Sequence, residues 1–296
     1  MKIFRFTLFV VIALLFAQSN KASAERLFGL TTQNWISVFD SSAPGNTIGG
    51  GAVTGLETND ILTAMDYQPA TGNVLLLGTL NNVYQLNSTS GTDFSATLLN
   101  TLDPTLVGTS MAFDFNPAFM EGAFARIISD TNDNRVIGGA DGQYLSPVEK
   151  TDVFYAAGDA NEGVDPNIAG IAYDSNVAGA SSTQQYGIDA SLGILTTVAN
   201  NAGTLETIGS LGLAGNLTNE LGFDISGETG TAFASFQTGP NSHLYTVDLS
   251  TGGATAIGQI GSGDLIRDIT TVPIPEPSSA LLLLIGMLGL TRRLRS

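Results

Sequence analysis

Short runs of β-forming residues recur along the chain, each broken by a cluster of Gly, Asn, Asp, Ser or Thr. The stretch 221–258 carries the pattern in its plainest form: LGFDI, TAFASF, HLYTVDL and ATAIG are separated by SGETG, QTGPNS and STGG. Runs of this length, rich in aromatic and β-branched residues and bounded by turn formers, are strand signals. Gly supplies positive φ at tight corners, and Asn, Asp and Ser bond back to the backbone there. The stretch predicts a four-stranded antiparallel meander.

The same four-part unit recurs upstream. One copy opens at ILTAMDYQPATG (61–72) and continues through NVLLLGTLNN, NVYQLNSTSG and DFSATLLN. A second opens at SMAFDFNP (110–117) and is expected to run through AFARIISDTNDNRVIGG to the strand DVFYAAG, with an insertion at 141–150. A third opens at NIAGIAYDS (167–175), with QQYGID, ILTTVAN and TLETIG as its later strands. Two fragments are left: LIRDITTV (265–272), and RLFGLTT, WISVFDSSAPG and NTIGGGAV near the start. Together they complete a fifth unit split across the two ends, which is what a closed ring of blades needs to remove its open sheet edges. An Asp marks the end of each first strand, at Asp66, Asp114, Asp174, Asp224 and Asp268, and the spacings of 48, 60, 50 and 44 residues fall near the 40–50 of a propeller blade. The expected fold is all-β: a five-bladed β-propeller of four-stranded blades, the last closed by N- and C-terminal strands. A β-sandwich or β-solenoid of the same strands is the alternative, and neither explains the split unit.

Composition agrees with this class. Gly makes up 35 of 296 residues and charged residues only 13%, which favours many turns over long helices with paired charged faces. A hydrophobic fraction of 43% is enough for a packed core. There are no cysteines, which excludes disulfides, thiolate metal sites and a cysteine nucleophile. Net charge is −16, and Arg26, Arg126, Arg135, Lys150 and Arg267 are the only basic residues between 25 and 272. So acidic a surface repels nucleic-acid phosphates and anionic membranes, and no nucleic-acid partner is expected.

The two ends read as addresses, giving an expected organisation of a signal peptide (1–24), a propeller-like domain (25–272) and a sorting tail (273–296). The start has basic Lys2 and Arg5, an apolar run from Phe6 to Ala17, and Ala22-Ser23-Ala24 before Glu25, the parts of a cleavable secretory signal. The tail has Pro275-Glu276-Pro277, an apolar run from Ala280 to Leu290, and a cluster of Arg292, Arg293 and Arg295. As a helix that run spans roughly 16 Å against a hydrocarbon core of ~30 Å, and the arginines hold its end on the cytoplasmic side. In its motif, short helix and arginine cluster, the tail resembles the PEP-CTERM sorting signal of Gram-negative bacteria. The resemblance implies a transient tether in the inner membrane, processing by an exosortase, and release toward the cell surface or extracellular matrix. The central block is similar to a family of secreted bacterial domains of unknown function, on the stretches FDFNP (113–117), ARIISDTNDNR (125–135), YAAGDANEGVDPN (155–167), VAGASSTQQYGID (177–189) and NNAGTLETIGSLG (200–212). That likeness implies no activity.

Candidate chemistry is sparse. Within the first strands the residue two before the marker Asp is small in four units, Ala64, Ala112, Ala172 and Gly222. Strand alternation puts it on the same face as the Asp, so the five Asp either ring a central channel, able to hold a cation, or bond their own following turns. Asp130, Asn132 and Asn134, and Asp159, Asn161 and Asp165, alternate oxygen ligands as short calcium loops do, without the full EF-hand pattern; Asx turns are the plainer account. Calcium is the one cofactor candidate, and none is required. His243 stands alone, and no nucleophile elbow or P-loop is present. Trp35, Tyr84, Phe94, Tyr155, Tyr186 and Tyr245 offer either a sugar-stacking surface or blade packing. The expected function is an exported binding or structural component of the cell envelope or extracellular polysaccharide matrix. The alternative is a propeller hydrolase acting on glycans or lactones through channel carboxylates.

Overall fold

The computed structural model describes residues 24–88, 91–138, 148–214 and 217–273. The leader up to residue 23, including Ala22, and the tail with Pro275, Glu276 and Pro277 lie outside the described residues. Among those described, no helix is long and apolar enough to cross a membrane.

Five inner strands stand side by side around one axis: β4 (Leu62–Gln68), β8 (Met111–Phe115), β13 (Ile168–Tyr173), β17 (Gly222–Ile225) and β21 (Ile266–Thr271). Each contacts the next, and β21 contacts β4, so the ring is closed. From β4 the first blade runs outward through β5 (Asn73–Gly78), β6 (Asn82–Ser88) and β7 (Phe94–Thr101). The second continues from β8 through β9 (Phe124–Ser129), β10 (Asn134–Gly138) and the two-residue β11 (Val148–Glu149). The third has β14 (Gln185–Asp189), β15 (Ile194–Ala199) and β16 (Thr204–Ser210) beyond β13, and the fourth β18 (Ala232–Thr238), β19 (Asn241–Val247) and β20 (Ala254–Gln259) beyond β17.

The closing blade joins the two ends of the described chain. Strand β21 pairs with β1 (Arg26–Thr31) through Gly29↔Ile269 and Leu30↔Asp268, and β2 (Trp35–Asp40) and β3 (Thr47–Thr54) follow. The fold is a five-bladed β-propeller, and the split unit is the reason: without it the ring would present two unpaired inner edges.

Five apolar clusters fill the five gaps between neighbouring blades. Ala64, Leu75 and Leu77 of the first blade meet Phe113, Phe115 and Ile127 of the second, while Val74 and Leu76 of the same strand β5 turn the other way, against Ile36 and Val38 of the closing blade. Alternation of side chains along a strand thus sends successive residues to different neighbours, which is why the middle strands read as continuous apolar runs. Leu27 and Phe39 meet Phe233 and Leu244 across the gap to the fourth blade.

Two expectations are corrected. The strand in DVFYAAG does not complete the second blade; Phe154–Tyr155 form β12, which pairs in parallel with β16 of the third blade. Tyr155 is held there because its hydroxyl donates to Asp189 at 2.7 Å. The second turn of the 221–258 unit is also shorter than QTGPNS suggests. Pairing runs to Thr238↔Asn241, leaving only Gly239-Pro240 as the turn, with Gly239 at φ 76°, a conformation Gly adopts without a side-chain penalty.

Candidate functional site

An inner strand has a hydrogen-bonding partner on one edge only, so the N–H groups of its other edge face the axis and need acceptors there. Side chains of the neighbouring inner strand supply them. Asp66 accepts the Phe115 N–H at 2.9 Å and Asp114 the Tyr173 N–H at 3.3 Å. Asp224 accepts both the N–H and, at 2.8 Å, the hydroxyl of Thr271. The Thr270 hydroxyl accepts the Tyr67 N–H at 3.1 Å and donates to Asp66 at 2.9 Å. Each acceptor takes the N–H that follows its counterpart one blade on. The fifth place in this layer is Ala172, which has nothing to offer, and Asp224 takes the Ile225 N–H itself at 2.7 Å.

The axial layer is therefore Asp66, Asp114, Ala172, Asp224 and Thr270, not the five marker Asp. Asp268 lies two residues back along its strand and accepts the Met65 N–H at 2.8 Å, in a layer shared with Ala64, Ala112, Gly170 and Gly222. Asp174 lies two residues beyond Ala172, half-buried, and bonds the segment that follows it: the Gln184 N–H at 2.8 Å and the Thr183 hydroxyl at 3.2 Å. The same residue type thus does two jobs, one at the axis and one at a turn. The small layer is tight. A Cβ on Gly222 would lie 2.3 Å from the Ile269 nitrogen, so Gly222→Ala is expected to lower stability by at least ~1–3 kcal/mol, read from denaturant melts of purified residues 25–272.

Oxygen atoms of Asp66, Asp114 and Asp224 lie within 4.8 Å of one another, and all three residues are buried. Burial, then the neighbouring Asp224, holds the Asp66 carboxyl well above the usual carboxylate range. Burial, then Asp66 and Asp224, does the same to Asp114, and burial raises Asp224 and Asp268 as well. Three carboxylates at this separation do not all stay ionised out of water; they share protons or enclose a cation.

All six residues of the two candidate calcium loops are engaged with protein groups. Asp130 accepts the N–H and hydroxyl of Thr109 at 2.8 and 2.6 Å, and Asp159 accepts those of Thr207 at 2.7 and 2.8 Å. Asn134 accepts from Arg126 at 2.8 Å and donates to the carbonyls of Thr151 and Asn200. Asn161 donates to Thr207 at 2.9 Å. What the fold does bring together are the two loops, because Asn132 donates to Asp165 at 2.7 Å. Of the six aromatic residues, Phe94 and Tyr245 are buried, Tyr84 and Tyr155 are buried with their hydroxyls on Asp60 and Asp189, and Tyr186 is half-buried; only Trp35 is exposed. His243 is half-buried, with Nδ1 2.6 Å from the Thr238 hydroxyl.

A pocket of about 280 Å³ lies between the second and third blades. Arg126 and Lys150 supply its positive charge and Asn200 and Asn201 its amides, and Phe119 and Phe124 form an aromatic wall, their rings edge to face at 4.9 Å. Among the described residues no Asp or Glu lines it. Residues 35–270 match the family model described as a domain of unknown function, DUF4394. The chain belongs to the DUF4394 family. No curated protein sequence matches this DUF4394 chain. It is similar to the solved nidogen/laminin complex at 12% identity and a TM-score of 0.47, over 85% of this chain and 99% of that one. A protein from Lactobacillus plantarum is similar at 14% identity and 0.40, over 83% and 71% of the two chains. A protein of unknown function from Bacteroides thetaiotaomicron is similar at 13% and 0.44, over 79% and 50%.

The sequence did not single out the pocket of the DUF4394 chain, whose residues come from two blades. One signal for it was present. Arg126 interrupts the apolar run FARII, and a charged residue in the middle of a buried strand needs a reason beyond packing.

Proposed function

We propose that the protein is an exported binding module of the cell envelope or extracellular polysaccharide matrix, and that the open inter-blade pocket, not the axis, is its working surface. The division of chemical groups carries this reading. A glycosidase places two carboxyl groups on either side of a bound sugar, within reach of solvent. Here Asp66, Asp114 and Asp224 are each 1% exposed and committed to inner-strand N–H groups, while the open pocket is lined by cations, amides and aromatic rings. That is equipment for holding a ligand. The leader and the Pro275-Glu276-Pro277 tail support export, a short-lived tether in the inner membrane, and delivery by an exosortase to the surface or matrix.

The reading is tested with purified residues 25–272 in affinity electrophoresis through gels containing the extracellular polysaccharide of the source cells. The expected result is retarded migration with no new reducing ends. Appearance of reducing ends that is abolished by Asp114→Asn with Asp224→Asn would establish the hydrolase alternative instead.

A further inference from the structure

Three of the five basic residues between 25 and 272 can be sorted by their partners. Arg135 is paired with Asp133 at 2.7 Å, and Arg267 with Glu220 at 2.6 Å. Arg126 is different. It is 4% exposed, its two terminal nitrogens donate to the neutral acceptors Asn134 and Asn201 at 2.8 and 2.9 Å, and its Nε is buried without a partner. Among the described residues no carboxylate lies within 4 Å of it. Asp114 stands opposite Arg126 in the β8–β9 ladder yet makes no ion pair with it, and is engaged instead with Tyr173.

A guanidinium taken out of water costs several kcal/mol unless an opposite charge repays it. In a chain with 27 acidic and 11 basic residues, acids are plentiful, and among the described residues none pairs with Arg126. Lys150 on the same pocket wall likewise has no acid partner among the described residues. Two cations with no carboxylate partner among the described residues, facing one pocket, leave the negative charge to be supplied by what binds.

We infer that the pocket binds a sugar residue bearing a single carboxylate, with the carboxylate beside Lys150 in the field of Arg126 and the apolar face of the ring on Phe119 and Phe124. This deepens the proposed binding function and rests on it. The volume, just under the roughly 300–1,000 Å³ of drug-sized sites, suits one ring rather than several. Phe119, 52% exposed, offers the flat apolar surface that ring C–H groups need, and the amides of Asn200 and Asn201 suit hydroxyls. The strongly acidic remainder of the protein repels a polyanion. A glycan with carboxylates spaced along a largely neutral chain is therefore the favoured form.

The test is calorimetric titration of residues 25–272 with sodium glucuronate, glucose and sodium sulfate in 50 mM and 300 mM salt. Glucuronate is expected to bind, to weaken at the higher salt, and to outbind both glucose and sulfate by at least tenfold. Lys150→Gln, a partly exposed position that leaves the core intact, is expected to weaken glucuronate binding by tenfold or more. Arg126→Met is expected to abolish it, with the melting temperature recorded alongside. Glucose binding as well as glucuronate, sulfate binding as well as glucuronate, or Lys150→Gln binding like the wild type would each overturn the inference. The gel assay separates the two levels: polysaccharide retarding wild type and Lys150→Gln alike sinks this inference and leaves the binding function, whereas no retardation of the wild type sinks both.

Discussion

A chain ending at Gly263 is expected not to fold. That truncation removes β21, and with it Ile266 and Ile269, exposed 0% and 1%, each worth about 1.5–3 kcal/mol in burial. The ladder to β1 is lost as well, together with Asp268 and Thr270, which accept the Met65 and Tyr67 N–H groups. The ring then opens along β1, β4 and β17, all of which β21 contacts. Against a total stability of about 5–15 kcal/mol, losses on one strand that also leave buried N–H groups without acceptors are not survivable. The measurement is circular dichroism with a thermal melt, comparing chains ending at Gly263 and at Val272. The shorter chain is expected to show no cooperative transition; a melt within a few degrees of the longer chain would mean that the ring does not depend on its closing strand.

The second large effect concerns pH. Burial first, and neighbouring carboxyls next, hold Asp66 and Asp114 well above the ordinary range. A raised folded value means that the folded state keeps protons the unfolded chain has already released. The stabilisation from these groups is therefore complete below about pH 4, where unfolded Asp titrates, and is lost as pH rises through the raised values. Each pH unit over which one proton is held differently is worth ~1.4 kcal/mol, or about 3–6 °C in a domain of this size. Melting temperature in a chelating buffer is thus expected to fall from pH 5 to pH 8, the reverse of ordinary acid denaturation. Asp114→Asn is expected to flatten the slope and raise the melting temperature at pH 8, since an amide oxygen still accepts the Tyr173 N–H. A wild-type slope left unchanged by Asp114→Asn would remove Asp114 from the set of groups that hold those protons.

Much of the architecture was legible because it is written locally. Turn chemistry and short apolar runs mark the strands of each blade, and the split unit follows from counting what the repeats leave over. The axial register was not legible in that way. Asp serves equally as an acceptor for an inner-edge N–H, as Asp66 does, and as a turn bond, as Asp174 does, and only the neighbouring blade decides which. Aligning on the Asp therefore placed Asp174 and Asp268 two residues from the layer that Ala172 and Thr270 occupy. The strand at Phe154–Tyr155 was misplaced for a similar reason: its partner is fixed by a hydroxyl reaching Asp189, not by its position after the second unit. The pocket depends on Arg126 and Lys150 from one blade meeting Asn200 and Asn201 from another, a juxtaposition no local pattern encodes.

The seam at β21 also sets an order of events. Its bonds to Met65 and Tyr67 span 203 residues of chain, and closing loops of that length is slow compared with forming hairpins within a blade. The blades can form one after another as the chain emerges, but the axis is sealed only when the last strand arrives. Until then the inner edges of β4 and β17 stay open, so a chain lacking its last strand remains unfinished and sensitive to proteases.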